Sequence, residues 1–210
     1  MTQAVIGGIE AETIHVTVLS EKIRRRTQPH TTPQGCRPSK WEMQRLWRNM
    51  LTKMKKDIER SMTTKDPKRL EEQLCELLPI YKTIGLKVQA VGDLLKTRVP
   101  YIPGNTNHLG TMHAGVIWMA GEVLGGLAYF GHSRELGKAW VTVKKVDIEF
   151  KHPVKTAITA LANFPEEERK RIATELKNKD RSRFTLKIEL VDDEQQICAV
   201  ATGHYVLGRD

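Results

Sequence analysis

An almost uninterrupted apolar segment in the middle of the chain constrains the fold more than any other feature. The 19 residues Met112–Phe130 read MHAGVIWMAGEVLGGLAYF and contain one charged side chain, that of Glu122. This length approaches that of a membrane-spanning helix, but four glycines and the central Glu122 make a membrane span the poorer interpretation. A helix that is apolar on every side also suits the interior of a curved sheet. The sequence therefore favours an enclosed central helix at about residues 111–130.

Strand-like segments lie on both sides of this central helix. Apolar residues alternate with polar ones, or form short apolar runs between turn signals, over residues 86–91, 94–101, 146–150, 158–164, 184–190 and 197–207. Gly92 and Asp93 provide a two-residue turn signal between the first two segments. Because a period of two is typical of half-buried strands, we expect an α+β protein. One antiparallel sheet would surround the central helix.

The N-terminal part of the chain differs in composition from the rest. Residues 1–70 hold 15 Lys and Arg against 7 Asp and Glu, so most of the formal net charge of +9 belongs to them. Residues 1–38 have few apolar side chains, which predicts a basic, disordered arm or a start codon assigned too early. Residues 39–78 are predicted to form a helical segment, and residues 79–210 the main domain.

Capping signals predict where the helices outside the central segment begin. Ser39 and Glu42 have the spacing of a capping box. Asp66 followed by Pro67 is typical of the start of a second helix, since proline suits the first helical position. A third helix is expected after Pro165, where acidic residues come first and basic residues last, as the helix dipole favours.

The lack of a recognisable targeting signal and the cysteine usage together predict a reduced, cytoplasmic location. The basic start is not followed by the apolar run of a secretory signal, and Glu10, Glu12 and Glu21 argue against a mitochondrial presequence. The three cysteines are widely spaced and form no CxxC pair: Cys36, Cys75 and Cys198. An odd, scattered set argues against a disulfide framework and against a zinc knuckle. The sequence therefore predicts no metal site, and the glycines and Glu122 of the apolar segment argue against a transmembrane segment.

The residues just before the central helix are candidates for chemistry. A loop reading VPYIPGNTNHLGTMHAG leads into the helix, whose first-turn N–H groups would point outward and favour negative charge. An acyl carbonyl at this end would have its developing oxyanion stabilised. Glu122 lies nine residues beyond His113 on the same helix. Desolvation would raise the pKa of such a carboxylate, which suits a general base, although a purely structural Glu122 remains the alternative.

The spacing N-x-x-G-x-x-H-A-G, followed after six residues by Glu, resembles the signature of hotdog-fold thioesterases, in particular the PaaI-like acyl-CoA thioesterases. The motif falls without a gap on Asn107, Gly110, His113, Ala114, Gly115 and Glu122. Two positions differ from the family pattern, because Ala114 stands where the family has the glycine directly after the histidine, and Glu122 where it more commonly has aspartate. The resemblance covers about residues 78–208 and implies the hotdog fold.

The resemblance also implies a role for each motif residue in thioester hydrolysis. Glu122 would act as general base, or as nucleophile, and Asn107 would orient the attacking water or the carbonyl. The N–H of Ala114 would polarise that carbonyl. His113 would either hold the loop-to-helix turn or contact the thioester. Gly110 and Gly115 would belong to the substrate-binding turn.

The family pattern further implies the partners of the chain. Such domains dimerise by joining two sheets edge to edge, with the pocket at the interface, so we expect a homodimer or a dimer of dimers (a homotetramer). The substrate would be an acyl-CoA or an acyl-carrier-protein thioester, and coenzyme A would enter only as part of it, without a separate cofactor. Lys144 and Lys145 are candidates for binding the CoA phosphates. Trp118 is a candidate for limiting the acyl-chain length.

A second function class is compatible with the sequence. A hotdog domain could sense acyl-CoA without hydrolysing it, while the basic N-terminal region contacts nucleic acid. The charge of residues 1–70 and the two predicted helices favour this binding module. Against it, the arm has no clear recognition helix, and a sensor has little use for Glu122 at the catalytic spacing. A nucleic-acid partner is therefore the less favoured expectation.

Overall fold

The computed structural model describes residues 64–209, together with positions 39, 41–42, 44–46 and 48–49. The predictions for residues 1–38 and for most of the helix expected at 39–62 lie outside the described residues. The chain divides into two compact units, residues 1–46 and residues 47–210. In the first unit the predicted capping box is confirmed, because the Ser39 N–H donates to Glu42 Oε2 at 2.8 Å and the Glu42 N–H to Ser39 Oγ at 3.4 Å.

The larger unit contains one six-stranded antiparallel sheet and six α-helices among its described residues. In chain order its elements are α1 (Pro67–Leu77), α2 (Pro79–Thr83), β1 (Lys87–Val91), β2 (Leu94–Val99), α3 (Ala114–Glu122), α4 (Leu124–Phe130), α5 (Ser133–Leu136), β3 (Trp140–Phe150), β4 (Ile158–Asn163), α6 (Glu166–Lys179), β5 (Arg181–Val191) and β6 (Ile197–Gly208). The strand order across the sheet is β1-β2-β4-β5-β6-β3. The predicted α+β class and single antiparallel sheet are confirmed.

The strands bury their predicted apolar face against the central helices. In β5, Phe184, Leu186, Ile188 and Leu190 are all at most 3% exposed, while the residues between them are exposed. This is the period-two alternation that the sequence predicts. β5 pairs with β6 along its whole length, from Arg181 opposite Gly208 to Val191 opposite Ile197.

The central helix is present, but it is interrupted. It begins at Ala114 rather than at residue 111, because the loop runs up to the helix N-cap at His113. It breaks at Val123, so that α3 ends at Glu122 and α4 begins at Leu124. Glycines at 121, 125 and 126 flank the break, and glycine lowers the stability of a helix interior. The break places the single charged residue of the segment at the end of α3.

The two edges of the sheet are covered to different degrees. At the β1 edge, the Glu71 carboxylate of α1 accepts hydrogen bonds from the Val88 N–H at 3.0 Å and from Lys87 Nζ at 2.7 Å. At the other edge, β3 is exposed along most of its length, including Trp140 and Phe150. The two faces of β3 differ little in exposure. The alternation of apolar and polar residues therefore predicted only residues 146–150 and missed the first six residues of the strand.

No helix among the described residues is long and apolar enough to cross a membrane.

The buried side chain of Arg169 connects α6 to other elements of the fold. Its guanidinium donates to Asp93 Oδ1 at 2.6 Å, to Glu135 Oε2 at 2.9 Å and to the Phe164 carbonyl at 2.7 Å.

Candidate active site

The loop before the central helices is built around a buried asparagine. Asn105 is 1% exposed, and its Nδ2 donates to the Ile84 and Pro100 carbonyls, both at 2.9 Å. Its own carbonyl accepts from the His113 N–H at 2.8 Å. Buried amides are stable only when their donors and acceptors are paired. Asn105 therefore fixes the path of the loop that carries the sequence motif.

The motif residue Asn107 organises a tight turn. Its Oδ1 accepts from the N–H groups of Leu109 and Thr111, at 2.9 and 3.2 Å, and its Nδ2 donates to Thr111 Oγ1 at 2.9 Å. Gly110 follows with φ of +67°, a left-handed conformation that favours glycine. Its carbonyl accepts from the Tyr101 hydroxyl at 2.5 Å. Asn107 and Gly110 thus shape the loop, and the Asn107 side chain is already engaged within it.

His113 caps the central helix. Its Nδ1 accepts a hydrogen bond of 3.0 Å from the Gly115 N–H, which supports the first of the two roles expected for this residue. A Cβ added at Gly115 would lie 3.1 Å from that Nδ1, so a larger residue would crowd the cap. The imidazole nitrogen that accepts must be unprotonated, which leaves Nε2 as the N–H of the neutral ring.

The N–H of Ala114 is left without an acceptor among the described residues. Ala114 is the first residue of α3, and the first N–H groups of a helix have no intrahelical partner. The neighbouring N–H of Gly115 donates to the His113 side chain, so the N–H of Ala114 is the open donor at this end of the helix. An open donor at a helix N-terminus attracts developing negative charge.

Two tyrosines hold Glu122 at the other end of α3. The Tyr81 hydroxyl of α2 donates to Glu122 Oε2 at 2.9 Å, and the Tyr205 hydroxyl of β6 donates to the Glu122 backbone carbonyl at 3.0 Å. Burial raises the pKa of the Glu122 carboxyl, and the Tyr81 hydrogen bond opposes that rise. Sequence reasoning missed both tyrosines, because neither lies in the motif and no local signal pairs them with Glu122.

The ring of Tyr205 sits between two glycines. A Cβ added at Gly125 would lie 1.9 Å from Cε1 of the ring, and one added at Gly203 would lie 2.4 Å from its hydroxyl oxygen. On another side the ring stacks on Phe184, with centroids 5.0 Å apart. The two glycines therefore provide the space in which Tyr205 reaches Glu122.

The structure brings most, but not all, of the predicted site residues together. Asn107, Gly110, His113, Ala114 and Gly115 form one continuous loop-to-helix turn. Glu122 lies eight residues beyond Ala114 on α3, a rise of about 12 Å at 1.5 Å per residue. Trp118 lies between them on α3 and is partly buried.

The two candidate lysines lie apart from the motif, on the edge strand β3. Lys144 falls at a bulge in the pairing of β3 with β6 and is exposed. Lys145 forms an ion pair of 2.8 Å with Asp147. No three His, Cys, Asp or Glu side chains lie close enough to hold a metal ion in the part of the chain that the structure describes.

Solved structures share this fold at low sequence identity. The protein PA5026 of Pseudomonas aeruginosa, of unknown function and described as a probable thioesterase, is 24% identical with a TM-score of 0.61, covering 69% of this chain and 97% of its own. A protein of unknown function from Chlorobaculum tepidum is 22% identical with a TM-score of 0.62, covering 71% and 99%. The thioesterase HI1161 of Haemophilus influenzae is 17% identical with a TM-score of 0.51, covering 69% and 92%.

These likenesses establish the hotdog fold, in agreement with the expectation from the motif. No curated protein matches the chain closely enough to count as a relative. A family profile matches residues 67–209, which span α1 through β6 and include the whole motif. The chain therefore belongs to the family described as "Putative thioesterase (yiiD_Cterm)".

Proposed function

We propose that the chain hydrolyses an acyl-CoA or acyl-carrier-protein thioester to a free acid and a thiol, as its PaaI-like motif implies. The observation that carries this proposal is the state of the two ends of α3. One end presents the unpaired N–H of Ala114, and the other presents a carboxylate with one oxygen held by Tyr81. An oxyanion donor and a base are the two groups that acyl transfer to water needs.

Ala114 is proposed as the oxyanion donor. Attack on a thioester carbonyl places negative charge on its oxygen, and a preorganised N–H aimed at that oxygen stabilises it without reorganisation. The replacement of the family's glycine by Ala114 keeps this donor, since the N–H belongs to the backbone. One such donor is typically worth about 10²–10³ in turnover.

Glu122 is proposed as the general base. The carboxylate would take a proton from water as the water oxygen attacks the carbonyl carbon, and would return it to the thiolate when the C–S bond breaks. Burial raises the pKa of Glu122, which brings a carboxylate closer to the basicity needed near neutral pH. Because no step requires a redox or electrophilic group, the proposal includes no cofactor.

The spacing of these two groups supports a site made from two copies of the chain. About 12 Å of helix rise separates Ala114 from Glu122, whereas the attacking water and the carbonyl carbon must approach to about 3–3.5 Å while each contacts its own protein group. A homodimer formed through the open β3 edges would set Glu122 of one copy opposite Ala114 of the other. Pairing at this edge would also cover an otherwise exposed strand.

The remaining site residues are proposed to bind substrate. Lys144 is exposed and makes no ion pair within the described residues, so it is the better of the two candidate partners for the CoA phosphates. Lys145 is partly neutralised by Asp147. Trp118 is proposed to limit the acyl chain, and Asn107 to orient water or the carbonyl through the second N–H of its amide.

Thiol release from a panel of short, long and aromatic acyl-CoAs tests the proposal, with a thiol-reactive dye as the readout. We expect wild type and Glu189→Gln, an exposed control on β5, to hydrolyse at least one of these substrates. We expect Glu122→Gln to fold and to lose at least about 100-fold in kcat, a common value for a general base. Equal turnover in Glu122→Gln would remove Glu122 from the mechanism. No turnover of any acyl-CoA or acyl-carrier-protein by wild type would remove the hydrolase assignment.

A further inference from the structure

Tyr81 lies in contact with the proposed base although it is outside the sequence motif. We propose that Tyr81 is a positioning residue that holds Glu122 in one orientation, with Oε2 fixed and Oε1 directed to the attacking water. This inference rests on the proposed function and adds a residue from α2, the helix that precedes the sheet. Its basis is the 2.9 Å hydrogen bond from the Tyr81 hydroxyl to Glu122 Oε2, across 41 residues of chain.

The position of Tyr81 is itself rigidly determined. Its side chain is 6% exposed and belongs to the hydrophobic core. It lies in α2, a short helix that starts with Pro79 at its first position. The Tyr81 N–H donates to the Leu78 carbonyl, and the Tyr81 carbonyl accepts from the Leu86 N–H, both at 3.0 Å. A hydroxyl on such a fixed frame can direct a neighbouring carboxylate.

The two oxygens of Glu122 are in different situations. Oε2 accepts from Tyr81, while Oε1 accepts no hydrogen bond from any described residue. Glu122 as a whole is only partly buried, and Oε1 is the oxygen of its carboxylate that stays open. A carboxylate held at one oxygen and open at the other presents a defined lone pair to water.

Tyrosine suits this position because its hydroxyl donates without carrying a charge. The titratable groups that face Glu122 are Tyr81 from α2 and Tyr205 from β6. Among the described residues of α3, α4 and the strands packed against them, no lysine, arginine or histidine affects the pKa of Glu122. A cation would depress that pKa strongly, whereas a neutral donor only moderates the effect of burial. Burial raises the pKa of Tyr81 far above its usual value, so its hydroxyl stays protonated and remains a donor.

The test is the pH dependence of kcat in Tyr81→Phe, with Tyr129→Phe as the matched control. Tyr129 is likewise buried, at 7% exposure, and its hydroxyl accepts from the Ala139 N–H at 2.8 Å, but it is not among the groups that affect the pKa of Glu122. In Tyr81→Phe the carboxylate loses its donor, so the acid limb of kcat should move up by at least about one pH unit. KM should change less than twofold. In Tyr129→Phe the limb should stay within about 0.2 pH units of wild type.

A second readout does not depend on turnover. The carboxyl of Glu122 can be followed by ¹³C NMR of protein labelled at glutamate side chains, with Glu122→Gln used to assign its signal. Its titration midpoint should rise in Tyr81→Phe and stay unchanged in Tyr129→Phe. An unshifted midpoint and limb in folded Tyr81→Phe overturn the role of Tyr81, while loss of turnover in Glu122→Gln would still support the proposed function. Full turnover in Glu122→Gln would overturn both the general-base role of Glu122 and the positioning role of Tyr81. This outcome is measured in Glu122→Gln itself and does not depend on Tyr81→Phe.

Discussion

The Tyr205 hydroxyl donates to the backbone carbonyl of Glu122, a residue 83 positions earlier in the chain. Glu122 is the last residue of α3, and the last carbonyls of a helix lack intrahelical partners, so the Tyr205 side chain supplies a donor to one of them. The Tyr81 hydroxyl meanwhile binds the side chain of the same residue. Glu122 is therefore held through both its main chain and its carboxylate, by elements from opposite ends of the domain.

Removing the N–H of Ala114 should abolish most of the turnover. Ala114→Pro deletes this donor, and proline suits the first position of a helix. The preceding residue, His113, has φ of −67° and ψ of 135°, an extended conformation that a following proline requires. We expect a folded protein whose kcat is lower by about 100-fold or more, measured by thiol release.

Ala114→Gly is the matched control for the proline variant. It keeps the N–H and restores the residue of the family pattern, so its kcat should lie within about threefold of wild type or above it. The oxyanion role would be contradicted if Ala114→Pro, with a wild-type circular dichroism spectrum and melting temperature, turned over substrate as fast as Ala114→Gly.

Mixed dimers should separate a shared site from a site within one chain. Glu122→Gln lacks the base and Ala114→Pro lacks the donor, so each homodimer should be inactive. If each site combines Glu122 of one copy with Ala114 of the other, the mixed dimer contains one intact site and one doubly defective site. Co-expression with two affinity tags should then yield a dimer with about half of the wild-type turnover.

The same experiment has a clear opposite outcome. When base and donor act within one chain, every site in the mixed dimer carries one defect, and activity stays at the level of the parent variants. Re-isolation of the tagged species after the assay shows whether the chains remained mixed. A purified mixed dimer without recovered activity would contradict the two-copy arrangement.

Glu122→Gln should be more stable than wild type at neutral pH. Burial raises the pKa of Glu122, so the folded chain binds this proton more tightly than the unfolded chain does. The free energy of unfolding of wild type therefore falls as the pH rises from the usual pKa of glutamate through the raised pKa of folded Glu122. Glutamine stays neutral throughout and can still accept from Tyr81.

Urea unfolding at several pH values between about 4.5 and 8 measures this effect. The midpoint of Glu122→Gln should exceed that of wild type at pH 8, and the gap should narrow as pH falls. Glu189→Gln on the surface of β5 gives the baseline for loss of an exposed charge. A gap that widened toward acid pH would have the wrong sign for a buried carboxyl.

Two adjacent glycines should respond in opposite ways to alanine. In Gly125→Ala the new Cβ would lie 1.9 Å from the Tyr205 ring, and the stack on Phe184 hinders that ring from moving away. Overpacking of this kind costs about 1–3 kcal/mol in the free energy of unfolding. In Gly126→Ala the nearest atom is 3.6 Å away, on Phe130, so the gain in helix propensity, up to about 1 kcal/mol, should dominate. Equal effects at both positions would contradict the packing around Tyr205.

Local periodicity was sufficient to predict the sheet and the enclosed helix. In β5 one face is buried and the other is exposed, and the alternation of Phe184, Leu186 and Ile188 reports this directly. β3 was predicted too short because its exposed edge position leaves little difference between its two faces. The break at Val123 was missed, because glycines on both sides lower helix propensity without fixing the residue at which a helix is interrupted.

The sequence predicted only the part of the candidate site whose residues lie close together along the chain. The turn from Asn107 to Gly115 depends on bonds between near neighbours, so a motif can encode it. Glu122 was singled out as a candidate because a lone carboxylate in an apolar helix is unusual, and its role stays a prediction. Tyr81 and Tyr205 were not found, because their bonds to Glu122 join residues 41 and 83 positions apart. Such pairings are determined by the topology of the sheet.

The unequal cover of the two sheet edges limits how the chain can assemble. At the β1 edge, Glu71 of α1 already occupies the N–H of Val88 and pairs with Lys87. The β3 edge alone keeps a long exposed strand among the described strands. When two such edges join, both open strands are used and only the α1-covered edges face outward. In such a pair, growth by strand addition would stop, because neither remaining edge would present an open strand among the described strands.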